Sequence, residues 1–410
     1  MEVLRSANLR AWAAVLAAAL LLVAVTGTAL GGDRLLRLDG RSLEGTVQSI
    51  DAEGRVRLAG RSETVDLQGL RSIDRGGAVQ PDADQAPCDV FLVGGGVLRA
   101  HDLMFDGSAF AVDWAYGAEQ PLPLAAVRAV RLGRGTEEDG AEPSGFRAAR
   151  TDADARRDEL FALVDGRVQV VRGALQHIDP SDVQFIWNDA TRRVARSKVY
   201  GVVLARSGPA PDHTGQCLVR LEDGSSFWMT VRSLEKGRLT GAVAGGAVMA
   251  VPWSAVARLQ VRSRRMVFLS DLDPVEVDQQ PLVTFAGPWR RDRNVVGGPL
   301  TLGDRVYEKG LGVHSRCRLV YDLGGRYDVF AATIGVDASA GGRGDCVFKV
   351  HADGNELLAK RMTGAGKPHT VRLPIKGASR LALTVEWGED MDLADRADWC
   401  DARLLKETSE

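Results

Sequence analysis

Few side chains in this sequence have the type and spacing to do chemistry. His314 stands out in "EKGLGVHSRCRLVYDLGGRYDVFAATIGVD" (Glu308 to Asp337), a lone histidine after a Gly-Leu-Gly step in an otherwise alternating stretch. Glu386 and Asp398 are two carboxylates in one region, and glycoside hydrolysis needs only two at the correct separation. The run "EWGEDMDLADRADWCDARL" offers Asp392, Asp395 and Asp401, oxygen ligands of the kind a hard cation such as calcium takes. From Asp390 onward it lacks the glycine and final glutamate of an EF-hand loop, so that motif is excluded. The five cysteines (Cys88, Cys217, Cys317, Cys346, Cys400) contain no CxxC pair and no histidine at metal-ligand spacing. They read as buried thiols, with a disulfide among the last three as the alternative in an oxidising compartment. His101 and His177 have no evident partners, and "RGD" at Arg343–Asp345 is three common residues in a turn. HExxH, GxSxG, P-loop and dinucleotide fingerprints are absent.

The elements that must position these groups are strands. The chain has 410 residues, 45% hydrophobic and 26% charged, with a net charge of −2. That near-neutral balance argues against nucleic-acid binding, which needs a clustered basic excess. Forty-six glycines against fifteen prolines, many in Asp-Gly or Gly-Gly pairs, predict tight turns and an all-β protein. Residues 1–30 stand apart: Arg5 and Arg10 precede an uncharged stretch from Ala11 to Leu30, long enough to cross a bilayer core. A cleaved signal peptide and an uncleaved N-terminal anchor are both open, and either sends the remainder out of the cytoplasm.

A pattern then recurs four times, over residues 33–76, 87–134, 158–206 and 214–263. Each copy opens on an apolar strand and turns at a glycine-containing pair (Asp39-Gly40, Gly94-Gly95, Asp165-Gly166, Asp223-Gly224). It closes on an apolar residue at every third position, as in Leu67, Leu70 and Ile73, a spacing that predicts a short helical turn feeding a last strand. We expect four small barrel-like or curled-sheet units, packed as pairs or in a row. Residues 135–157 read as a flexible linker whose Ala/Arg end can form a short helix. From 265 to 407 the period stays near two, as in a β-sandwich.

That last region carries a resemblance. The phrases "FLSDLDPV", "GGPLTLGDRVYEKGLGVHSRCRLVYDLGGRYDVFAATIGVD", "HADGNELL" and "DRADWCDARL" occur in order and at suitable spacing. Together they resemble the NPCBM family of carbohydrate-binding modules, galactose-binding-like jelly rolls often found beside glycoside hydrolases. One departure is that the family commonly ends its closing phrase with a histidine and a second small residue, where this chain has Arg396 and Cys400. The resemblance implies a sugar site in the loops at one end of the sandwich. Such a site needs polar groups for ring hydroxyls and an aromatic ring for the C–H face. His314, Arg316, Asp337, Arg343, Asp398 and Trp399 have the right types. The alternative role for His314 is to pin the Gly310–Gly312 turn, and for Asp398 and Trp399 to join the last strand to the first.

The reading is therefore an exported, non-catalytic protein that binds glycan through its C-terminal jelly roll, with the β-repeats as spacer or partner surface. The rival is a cell-envelope scaffold whose jelly roll has lost sugar affinity and whose partners are envelope proteins. No cofactor is required, and a structural calcium ion is the one metal the acidic run suits. The membrane is a partner only through residues 11–30, if that segment is retained.

Overall fold

The computed structural model describes residues 32–76, 87–116, 121–133, 142–152, 155–165, 167–206, 211–280, 287–389 and 391–407. The leader falls outside them; among the described residues no helix is long and apolar enough to cross a membrane. The fold is all-β, as the turn-rich composition predicts.

Each repeat is one curled sheet. In the first, Asp33–Arg37 pairs with Ser42–Gly45, the chain bends into Val47–Ile50, and that strand pairs with Arg55–Leu58. After Thr64–Asp66 comes the 3-10 turn Leu67–Gly69, and the last strand Leu70–Asp74 returns to pair with the first. Alternation fixes the faces: Val56 and Leu58 are buried while Arg55 and Arg57 face out. The same order recurs in the other three, with 3-10 turns at Leu124–Ala126, Arg196–Lys198 and Trp253–Ala255. In repeats 1, 2 and 4 the closing apolar triplet is this turn plus the returning strand, whereas in repeat 3 the turn Arg196–Lys198 buries no apolar side chain.

A short curled sheet leaves one last-strand edge open, and the four copies cover these edges by nested pairing. The last strand of repeat 1 pairs antiparallel with that of repeat 4, Leu259 opposite Ile73. The last strand of repeat 2, Val127–Arg131, pairs with that of repeat 3, Val199–Val203. Repeats 2 and 4 meet where Ser226 and Phe227 pair with Val97 and Gly96. A Cβ on Gly96 would sit 2.2 Å from the Ser226 carbonyl oxygen, so only glycine permits that approach. One continuous hydrophobic core results, drawn from all four repeats. The end of the expected linker forms helix Ser144–Thr151, which buries Phe146 edge-on against Phe161 and Tyr200. The described part of that segment is thus anchored to repeats 2 and 3.

Residues 266–405 form a β-sandwich. In the first sheet, Arg290–Arg291, Gly310–His314, Arg396–Leu405, Val329–Val336 and His369–Pro374 lie in that order, with Met266–Phe268 also on the long Arg396–Leu405 strand. The second sheet runs Glu276–Gln279, Cys317–Asp322, Arg380–Trp387, Asp345–Ala352 and Asn355–Thr363. Between them packs a second core that includes Leu311, Val313, Phe330, Phe348 and Trp399. The sandwich docks on repeat 1. Arg71 donates to both oxygens of Asp401 at 3.0 and 3.1 Å, and Arg265 reaches Asp66 at 2.7 Å.

Candidate functional site

Six strand ends converge at one end of the sandwich. His314, Val336 and Arg396 stand there in the first sheet, Cys317, Asp345 and Trp387 in the second. The inner face of Arg380–Trp387 is Leu381, Leu383 and Val385, so alternation carries Trp387 to the mouth between the sheets. It stays half-buried there, and the Arg316 guanidinium stacks over it at 4.9 Å. Arg316 occupies the turn before Cys317 at φ 51°, an orientation that aims it back over the ring. Arg343 is exposed in the adjoining loop, and Arg396 is fixed at its edge by donating to the Ser339 carbonyl at 2.6 Å. An accessible indole edge with guanidinium donors around it can hold a saccharide's C–H face and its hydroxyls.

The six residues expected to form the sugar site divide among three places. Arg316 and Arg343 are on the rim. Trp399 is not: it is 1% exposed and packs against Phe348 at 4.9 Å and Phe330 at 6.3 Å. Its position inside strand Arg396–Leu405 corrects the loop assignment. Ala397 and Trp399 point into the core, so this ring has no face to offer a ligand. His314, Asp337 and Asp398 are buried on the opposite face of the same sheet.

That outer face has its own logic. Gly310 and Gly312 belong to a strand rather than a turn, which also corrects the expectation. A Cβ on Gly312 would lie 2.5 Å from Asn294 Cα, and one on Gly335 would press Leu302 at 3.1 Å. The glycines flatten the sheet so that segment 292–302 can lie on it. Asp398, opposite both Gly312 and Gly335, is sealed beneath. Asp337 accepts from Asn294 Nδ2 at 2.9 Å and from the backbone N–H of Thr301 and Ser339 at 2.8 and 2.9 Å. Neither oxygen of Asp398 has a well-placed donor; it faces Asp337, so the two acids bond only when one is protonated. Burial, reinforced by the Asp337 charge and hydrogen bond, raises Asp398 well above the usual carboxylate range. Burial also pushes Asp337 up, but the bonds from Asp398, Ser339 and Thr301 outweigh it and hold Asp337 low. Asp398 keeps the proton.

The remaining candidates resolve on the same geometry. Glu386 points away from the core on the second sheet and Asp398 away from it on the first, so the sandwich, roughly 10 Å between sheets, separates them. They do not form a catalytic pair. Asp392, Asp395 and Asp401 do not converge on a metal: Asp395 Oδ1 accepts the Asp345 N–H at 2.9 Å near the rim, while Asp401 lies farther along its strand on Arg71. Among the described residues no three acidic, histidine or cysteine side chains are grouped to hold an ion. Asp345 of the "RGD" triplet is buried and gripped by Arg361 at 2.8 and 2.6 Å, a contact that holds its carboxyl low. All five cysteines are buried and none is in a disulfide. Burial pushes the Cys217 and Cys317 thiols to about 12.

Trp387 was overlooked in the sequence although it sits in the quoted acidic run. Counting two-residue steps from Leu381 would have placed it at the mouth.

Comparison with known proteins bears on the sandwich. A Renibacterium salmoninarum protein named "Putative endo-alpha-N-acetylgalactosaminidase" is 34% identical over 110 residues, 27% of this chain; the match spans 7% of that relative's length. Among solved structures, the CBM51 module of Clostridium perfringens GH95 in complex with methyl-galactose is 30% identical, with a TM-score of 0.32. That alignment covers 34% of this chain and 99% of the module. The tandem CBM51 modules of the Streptococcus pneumoniae family 98 glycoside hydrolase are 14% identical, covering 92% of this chain and 88% of theirs at a TM-score of 0.31. Residues 265–405 match the NPCBM/NEW2 domain model, and the C-terminal third of this chain is therefore a domain of that carbohydrate-binding family.

Proposed function

We propose that this chain is an exported, non-catalytic protein that binds a galactose-type glycan at the Trp387–Arg316 rim, with the β-repeats as a rigid base. The match of residues 265–405 to a carbohydrate-binding module family carries the reading. Export rests on the apolar segment 11–30 of the sequence. The non-catalytic role is supported by the separation of Glu386 and Asp398 on outward faces of opposite sheets.

Affinity for a single sugar is modest. A monosaccharide of about twelve heavy atoms at roughly 0.3–0.5 kcal/mol each gains about −4 to −6 kcal/mol. That corresponds to a Kd between about a millimolar and tens of micromolar. Retention on a polymer then needs several contacts or several copies.

Affinity electrophoresis of the full chain through galactose-bearing polysaccharide tests this. Retardation is expected for the parent and is lost in Trp387→Ala and Arg316→Ala, with thermal melting unchanged. Equal retardation of parent and variants would overturn the site. Absence of retardation in the parent, with no binding on a glycan array, would favour the envelope-scaffold alternative.

A further inference from the structure

A cleft of about 410 Å³ lies where repeat 4 meets the sandwich, at the far end of the sandwich from the rim. Strand Val329–Val336 runs from beside Tyr327, which lines the cleft, to Asp337 near the rim. Eight residues at about 3.3 Å each put Tyr327 roughly 25–30 Å from the rim, and the five of Gly310–His314 put Lys309, on the other wall, about 16 Å from it. We propose that this cleft is a second binding site, for a saccharide bearing a carboxylate. It goes beyond the rim reading and does not depend on it.

Size and chemistry point the same way. The volume falls within the roughly 300–1,000 Å³ of small-molecule sites, which favour domain junctions. Three aromatic side chains line it, Trp228 from repeat 4 and Phe268 and Tyr327 from the sandwich, so C–H faces of a sugar find rings from both bodies. Trp228 is held rather than loose, because His213 stacks on it at 4.4 Å with 8° between planes. Two cations lie near the Phe268 ring, Arg71 at 5.4 Å and Lys309 at 5.7 Å from its centroid.

Charge selects the ligand. Arg220, Arg262, Arg264 and Lys309 line the cleft against only Asp271 and Glu308. Lys309 is already neutralised by Asp271 at 2.7 Å and Asp292 at 2.6 Å. Arg262 reaches Asp271 only at 3.9 Å, and Arg220 and Arg264 have no carboxylate partner among the described residues. The wall therefore presents unpaired guanidiniums beside aromatic rings, and a guanidinium binds a carboxylate through two parallel hydrogen bonds. A neutral sugar satisfies the rings but leaves those donors to water. Both uronic and sialic acids carry the required group.

Titration calorimetry of the full chain distinguishes these cases. Trigalacturonate or sialyllactose is expected to bind at least about tenfold more tightly than its neutral counterpart, trigalactose or lactose. Arg220→Ala, an exposed position that leaves the core intact, weakens that binding on the order of tenfold, as does Trp228→Ala. Trp387→Ala leaves it unchanged. Three results would overturn the proposal: no preference for either acidic saccharide, loss of that preference in Trp387→Ala but not in Arg220→Ala, or tighter binding of hexaglutamate than of both acidic saccharides. Rim failure is read separately, from neutral polysaccharide and the rim variants.

Discussion

Replacing Trp399 by alanine separates a core residue from a ligand contact. The indole is 1% exposed and wedged between Phe348 and Phe330. An aromatic side chain buries roughly 150–250 Å², and at about 25 cal/mol per Å² its loss, less what alanine retains, costs about 3–5 kcal/mol. Large-to-small substitutions of Trp in cores fall in the same ~3–5 kcal/mol range because the surroundings collapse only in part. The edge-to-face contact with Phe348, 72° between planes at 4.9 Å, adds about 0.5–1.5 kcal/mol. At roughly 2–4 °C per kcal/mol for a domain of this size, Trp399→Ala lowers the melting temperature by roughly 7–26 °C. Scanning calorimetry of the full chain reads the shift, with near-UV circular dichroism assigning the transition to the sandwich. Trp399→Phe keeps part of the burial and falls between. A drop under about 3 °C, accompanied by loss of saccharide binding, would refute the placement and return Trp399 to the ligand site.

Two further predictions test the buried acid and the docking of the sandwich. Asp398→Asn stabilises the protein at neutral pH by about 1–3 kcal/mol, because the amide donates to Asp337 without a proton having to be retained. Asp398 is raised in the folded state, so the unfolded chain sheds its proton above about pH 4 while the folded chain keeps it, and parental stability falls as pH rises. The variant's advantage is thus small below that pH and grows above it; denaturant titrations at pH 4 and pH 8 showing equal differences would contradict the shared proton. Asp401→Ala strands Arg71 at the junction, where the two side chains are 13% and 17% exposed, and loosens docking by about 1–2 kcal/mol. Trypsin then cuts faster between residues 262 and 265, and an unchanged digestion rate would show that Arg71 does not secure the sandwich.

The repeats were legible because their signals are local. A glycine pair, two alternating strands and an apolar triplet recur within about fifty residues, and each is read from neighbours in sequence. Their nesting, repeat 1 on 4 and 2 on 3, was not legible. It depends on which exposed edges match; Gly201 marks the close approach of repeat 3 to repeat 2, and Gly96 that of repeat 2 to repeat 4. A glycine inside an apolar strand is the available signal for such a contact.

The site was half legible for a related reason. Residue types identified a rim in general, but side-chain direction depends on a period of two counted from a known core position. Counting two steps back from Ala397–Trp399 or two forward from Val385 decides that Trp399 faces the core and Trp387 the mouth. Composition cannot make that distinction, since both tryptophans lie in the same acidic run. The same count explains the histidine. His314 continues the row Gly310–Gly312 on the outer face, where the chain lays segment 292–302 over Asp337 and Asp398. It is 3% exposed there, so the conspicuous histidine does not stand on the open rim with Arg316 and Arg343. The rim and the cleft are then left to the less conspicuous Trp387 and Trp228.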